Sequence, residues 1–343
     1  MGTLRRILCV MFNHTFEELI SMNNLLDAWG EFVVGKRGKT DVQEFELHLM
    51  DYLLDLHKEL SDKTYRHSKY ESFVIVDPKR RLIHKASVRD RVLHHALYRM
   101  LYPYFDRSFA SDSFSCRDGK GMHKAIDRFH VFAGKASQNH TRTCWVMKCD
   151  IRQFFGSIDH RILMRILKQH ISDSDIIWLL EKIIESFETE NRPHIGLPLG
   201  NLTSQLFSNV YMNRFDQFVK HKLKIKYYIR YADDFVFLSE DKSFLESLIP
   251  SIRSFLLFDL HLTLHPTKIS LGKVGSGIDF LGWVHFMDHR VLRTVTKRRM
   301  FKRIEFHPTK PTIQSYLGLL SHGNTRTLQD DLMLSINKPN SPL

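Results

Sequence analysis

Two places where apolar sequence ends in carboxylates constrain this chain more than any other feature. Trp145-Val146-Met147-Lys148-Cys149 has the composition of a strand and stops at Asp150. Lys226-Tyr227-Tyr228-Ile229-Arg230-Tyr231 and Phe235-Val236-Phe237-Leu238 read as two further strands, with only Ala232, Asp233 and Asp234 between them. So short a link predicts a hairpin with both aspartates at its tip. Adjacent carboxylates on a tight turn repel each other, and a hard divalent cation relieves that repulsion while keeping positions open for phosphate. Asp150, Asp233 and Asp234, helped by the backbone carbonyl of Ile151, are therefore candidate ligands for a pair of Mg²⁺ ions, with Mn²⁺ as a substitute. Such a pair activates an attacking hydroxyl and stabilises a leaving pyrophosphate. Asp-Asp is also a common turn former, so the reading needs support from elsewhere in the chain.

Charge points the same way. Fifty Lys and Arg stand against 38 Asp and Glu, a net charge of +12 with pI near 9.5, which favours a polyanionic partner, most often nucleic acid. With 43% hydrophobic and 26% charged residues the chain is not wholly disordered. No apolar run reaches the roughly 18 residues of a spanning helix, so no membrane association is expected. The run Ile7 to Phe12 after Arg5 and Arg6 imitates a signal peptide but is too short and lacks a small-residue cleavage site. Cys9, Cys116, Cys144 and Cys149 contain no C-x-x-C pair, which argues against a zinc site or disulfide framework and for a reducing cytoplasm.

At 343 residues the chain is past the usual size of a single core. Residues 16–60 read as helical, broken by the basic loop Gly35–Lys39. Residues 71–76 are β-like and end at the turn signal Asp77-Pro78, and Lys79 to Ile83 returns as the second arm of a basic hairpin. A helix over 87–102 has Ser87 as its cap, and places His94 and His95 at the core edge or surface. Helices follow over 159–169 and 173–187, then the loop Gly196–Gly200, an amphipathic helix over about 204–223 and a helix over 242–257. Short strands are expected at 269–271 and 278–286, a basic helical region at 297–335, and a frayed tail from Asn337 to Leu343.

In chain order these features resemble the reverse transcriptases. Asp150 is followed at the fifth position by the aromatic Phe155. Then come Gly196-Leu197-Pro198-Leu199-Gly200-Asn201-Leu202-Thr203-Ser204-Gln205 and Tyr231-Ala232-Asp233-Asp234. After them stand Lys268 in His265-Pro266-Thr267-Lys268, and Phe280-Leu281-Gly282-Trp283. The resemblance covers roughly residues 60–290. It implies an α+β right-hand polymerase: an N-terminal helical extension (1–60), fingers (61–143), a palm of antiparallel sheet backed by helices with part of the fingers interleaved (144–288), a short helical thumb (289–335) and a flexible tail (336–343). It also implies roles. Asp150, Asp233 and Asp234 match the metal-binding triad, and Lys268 a general acid near the pyrophosphate. Phe155 matches a gate whose ring excludes the 2′-hydroxyl. Arg81 resembles a triphosphate-binding residue of the fingers, with Arg91 as a second candidate. Leu199, Gly200 and Gln205 belong to the element that borders the incoming nucleotide, and Phe280 to Trp283 resembles the loop that grips the primer.

The third element departs from the commonest pattern, with Leu199 in place of a glutamine and Gln205 in place of a proline. That version resembles the diversity-generating retroelement branch, which is bacterial, archaeal and phage-borne and copies a template RNA with frequent errors at adenines. Cys116-Arg117-Asp118-Gly119-Lys120-Gly121 and Ser315 to Gly323 are also similar to that branch. The implied partners are template RNA, cDNA, deoxynucleoside triphosphates and a small basic accessory protein docking on helices 16–60 or on the fingers. Lys297, Arg298, Arg299, Lys302 and Arg303 are dense enough to track a template–primer backbone. After the thumb there is no room for a maturase or endonuclease domain, so cutting and integration are expected to need other factors. The rivals are a phage-defence or other group-II-like reverse transcriptase, and a catalytically idle RNA-binding scaffold, against which the intact triad argues.

Overall fold

Local capping starts several of the chain's helices. The Thr15 hydroxyl accepts from the Glu18 amide while the Glu18 carboxylate accepts from the Thr15 amide, which opens α1 (Phe16–Ile20). Ser21 caps α2 (Met22–Val33), and α3 (Thr40–Leu47) and α4 (Leu49–Ser61) follow the basic loop. The structure is a computed structural model that describes residues 11–76 and 79–336. The expected turn at Asp77-Pro78, most of the Ile7–Phe12 run and the tail Asn337–Leu343 lie outside the described residues.

The remaining elements are β1 (Glu71–Ile75), β2 (Arg81–Lys85), α5 (Val88–Asp106), α6 (Met122–Ala136), β3 (Trp145–Cys149), α7 (His160–Lys168), α8 (Ser174–Ile184) and α9 (Leu202–Gln217). Then come β4 (Tyr228–Tyr231), β5 (Asp234–Ser239), α10 (Lys242–Leu260), β6 (Ser270–Lys273), β7 (Ile278–Phe280), β8 (Trp283–His285), β9 (Arg290–Leu292), α11 (Thr294–Phe306), α12 (Lys310–Leu320) and α13 (Arg326–Ile336). They form two compact units, both discontinuous in sequence. One comprises Met1–Ser111, Ile151–Lys222 and Arg253–Thr263, and the other Asp112–Asp150, Leu223–Ile252 and Leu264–Leu343. Among the described residues no helix is long and apolar enough to cross a membrane.

The first unit is mainly helical, with β1 and β2 paired antiparallel from Glu71↔Lys85 to Ile75↔Arg81. Ser87 caps α5 through the Asp90 amide as expected, but the helix runs on to Asp106 with Pro103 inside it. His94 is fully buried in α5, not at the core edge. Its ring stacks on His67 with Nε2 atoms 3.3 Å apart, and burial drives its pKa well below the ordinary histidine value. α9 also departs from expectation. It is buried on nearly every side, from Thr203, Ser204 and Ser208 to Tyr211 and Phe215, so it has no polar face to give an amphipathic pattern.

The second unit is built on a four-stranded antiparallel sheet of order β4-β5-β3-β6. α6 covers it, and Phe129 and Phe132 meet Val146, Ile229, Val236 and Leu238 in one apolar cluster. β7, β8 and β9 make a separate three-stranded meander. Trp283 of β8 is fully buried and shares a second cluster with Met300 and Ile304 of α11, Leu320 of α12 and Leu332 of α13.

Candidate active site

The sheet register gathers the carboxylates of the second unit. β3 pairs β5 with Cys149 opposite Phe235, so the next step in the antiparallel ladder sets Asp150 opposite Asp234. β4 and β5 pair through Tyr231↔Asp234, which leaves Ala232 and Asp233 as a two-residue turn. Ala232 takes φ +54°, the left-handed conformation that the first turn position of such a hairpin demands and that glycine normally supplies. The Asp150 carbonyl accepts from the His265 amide at 2.8 Å, which ties the end of β3 to the His265–Lys268 segment.

Two lysines offset the negative charge. Lys268 Nζ donates to Asp150 Oδ2 at 2.8 Å, and Lys148 Nζ lies 3.7 Å from Asp234 Oδ1. Lys148 is a residue the sequence reading missed. The available signal was its place two residues before Asp150 on one strand, which puts both side chains on the same face. Asp233 is half-buried, and desolvation together with the neighbouring charges of Asp234 and Asp150 pushes its carboxyl up to about 6. A carboxylate held under that potential, in an all-oxygen donor set, fits a hard divalent cation. Among the described residues no group of three His, Cys, Asp or Glu side chains forms a ready-made cation cluster.

The first unit brings together another set of predicted residues. Phe155 opens a short 3₁₀ turn and is half-buried, edge-on to the fully packed Phe154 ring at 5.3 Å, so Phe154 fills the core and Phe155 does not. The Phe155 carbonyl accepts from the Leu197 amide at 2.8 Å. The Leu199 carbonyl accepts from the His84 amide of β2 at 2.9 Å, and Asn201 Nδ2 donates to the His84 carbonyl at 2.8 Å. Loop 196–201 is thereby clipped both to the Phe155 turn and to the strand that begins at the exposed Arg81. Gly200 takes φ +106°, and a Cβ there would lie 2.7 Å from Ile83 Cγ2. Gln205 is half-buried on α9, and Ile151 is buried next to Asp150 in the chain. Arg91 stands apart from this group, since its guanidinium pairs with Asp41 of α3 at 2.8 Å and covers the Phe32 ring of α2. His84 and Asn201 were not singled out from sequence, because a backbone clip between distant segments leaves no periodic trace.

The Phe280–Trp283 and Ser315–Gly323 motifs meet in the second unit. A Cβ on Gly323 would lie 2.0 Å from the Trp283 ring, so the turn after α12 has room only for glycine against that ring. α11 buries Met300 and Ile304 in the Trp283 cluster and exposes Lys297, Arg298, Lys302 and Arg303.

A model of the family described as reverse transcriptase (RNA-dependent DNA polymerase) matches residues 71–285, more than half of the chain. The chain belongs to the reverse transcriptase family. It is 26% identical over 243 residues to Protein YkfC of Escherichia coli, covering 60% of this chain and 62% of that one. It is 26% identical over 142 residues to the group II intron-encoded protein LtrA of Lactococcus lactis, covering 40% and 22%. It is 27% identical over 185 residues to an uncharacterized 91 kDa protein in the cob intron of Schizosaccharomyces pombe, covering 50% and 22%. The chain thus spans less than two thirds of the length of each of these relatives. Among solved structures, apo telomerase from Candida tropicalis truncated from its C-terminal domain matches at TM-score 0.50 with 12% identity, covering 72% of this chain and 60% of that one. Telomerase from Candida albicans in complex with a TWJ fragment of telomeric RNA also matches at 0.50 and 12%, covering 85% and 62%. At this identity the likeness is one of fold, and this reverse transcriptase has the expected mixed α+β architecture.

Proposed function

We propose that this reverse transcriptase is an RNA-directed DNA polymerase whose reaction centre is Asp150, Asp233 and Asp234. The observation that carries the reading is the sheet register that sets Asp150 beside the Asp233–Asp234 turn, within a chain of this family. The three carboxylates and the Ile151 carbonyl would hold divalent cations, which supply Lewis acidity for the attacking hydroxyl and the leaving pyrophosphate. Lys268, which donates to Asp150, would give a proton to the leaving group, and that contact supports the role. Arg81 offers a planar fork to triphosphate oxygens. The half-buried Phe155 ring bars a 2′-hydroxyl. Primer extension on an RNA template tests it. The chain should incorporate deoxynucleotides with Mg²⁺, and Asp233→Asn should abolish extension while RNA binding survives; extension at near wild-type rate by that variant refutes the assignment.

Within the family, the Leu199 and Gln205 substitutions support a diversity-generating retroelement enzyme, error-prone at template adenines and working with a small basic accessory protein. Leucine offers no hydrogen-bond donor or acceptor, so packing alone would police base-pair geometry, and packing discriminates weakly. Leu199→Gln should lower misincorporation opposite adenine in sequenced cDNA; an unchanged error spectrum in an active variant removes this support. The likeness to LtrA favours the second reading, a group-II-like enzyme with another purpose. Sequencing the RNA that co-purifies with the protein separates the two.

A further inference from the structure

Arg230 is fully buried in β4, two residues before Ala232. A guanidinium is costly to bury unless its donors are used, so its partners indicate what it is kept for. Nη2 donates to the Ser113 hydroxyl at 2.9 Å, and Nη1 donates to the carbonyl of Ala232 at 3.2 Å. The Arg230 backbone is held by the same neighbouring segment: its amide donates to the Asp112 carbonyl and its carbonyl accepts from the Phe114 amide, both at 2.9 Å. The segment is itself anchored, because Arg128 Nε donates to the Asp112 carboxylate at 2.8 Å and Arg117 Nη1 to the Ser113 carbonyl at 2.9 Å. Residues 112–114 therefore grip Arg230 near the end of β4, and through the guanidinium the first residue of the turn is held as well.

That residue is the one under strain. Ala232 sits at φ +54°, which a Cβ disfavours and glycine adopts freely. Such a conformation persists where the surroundings enforce it. We propose that Arg230, with Ser113, is a positioning residue that holds Ala232 in the left-handed turn and so fixes where Asp233 and Asp234 project. This rests on the reading of those aspartates as the reacting carboxylates.

The test is Arg230→Gln, alone and combined with Ala232→Gly. In the single variant kcat for primer extension should fall by about tenfold or more, while the Kd for primer–template and the KM for nucleotide stay within about twofold. Amide hydrogen exchange over 231–234 should accelerate. Ala232→Gly should restore most of the lost kcat in the double variant, because glycine needs no brace to take this φ; a residue that merely stabilises the fold would not be rescued this way. Activity of Arg230→Gln within about twofold of wild type, or a loss that Ala232→Gly does not recover, overturns the proposal. If Arg230→Gln does not fold, Ser113→Ala decides: faster exchange over 231–234 is expected, and wild-type exchange overturns the proposal. If Asp233→Asn retained activity, the assignment of the carboxylates would fall, while the exchange measurement would still report on the brace.

Discussion

Gly200→Ala should destabilise the first unit and damage nucleotide binding together. At φ +106° an L side chain carries a backbone penalty on the order of 1–2 kcal/mol. The new Cβ would also lie 2.7 Å from Ile83 Cγ2, and relieving that contact must displace β2 or the loop, for about 1–2 kcal/mol more given that Ile83 is only half-buried. The expected total is about 2–4 kcal/mol by urea denaturation, a large share of the ~5–15 kcal/mol that holds a typical domain. Because the loop is clipped to β2 through His84, the same shift moves Leu199 and the strand that carries Arg81, so KM for nucleotide should rise. Adding Ile83→Ala removes Cγ2 but leaves the backbone penalty, so the double variant should recover only the contact portion, a coupling of about 1 kcal/mol. A Gly200→Ala chain within about 0.5 kcal/mol of wild type would refute this reasoning.

Two other outcomes follow from named contacts. Phe155→Val should open space beside the sugar and raise ribonucleotide over deoxynucleotide incorporation by about tenfold in a single-nucleotide assay; unchanged discrimination would show that the ring is not a gate. His94 is kept neutral by burial among His67, His95, Asp90 and Arg91, so its folded pKa lies below that of the unfolded chain. The unfolded state then binds the extra proton below about pH 6.5, and stability is intact above that value and falls by up to about 1.4 kcal/mol per pH unit beneath it. His94→Gln should flatten that slope between about pH 6 and 4; a slope unchanged from wild type would place the titration elsewhere.

The parts legible from sequence are those with local or periodic causes. The strand ending at Asp150 and the hairpin around Asp233 could be read because apolar runs flank a link too short for anything else. Ser87 could be read as a cap because its side chain acts on an amide within the next turn. α9 was misjudged as amphipathic because serine and threonine at close helix contacts count as polar in a pattern yet are buried. Pro103 and Pro250 lie inside α5 and α10, which run past the ends expected at 102 and 257. The clip from His84 to Leu199 and the brace from Ser113 to Arg230 join residues more than a hundred positions apart, and such pairings are set by tertiary packing.

The central claim is that Asp150, Asp233 and Asp234 jointly form the cation-binding reaction centre of a polymerase. The most direct measurement counts Mn²⁺ bound to the chain by electron paramagnetic resonance, with RNA template, primer and a deoxynucleoside triphosphate present, in wild type and in Asp150→Asn, Asp233→Asn and Asp234→Asn. The account predicts about two ions in wild type, with each substitution lowering either the count or the affinity by tenfold or so while primer–template binding is retained. Wild-type Mn²⁺ binding in all three variants would contradict it.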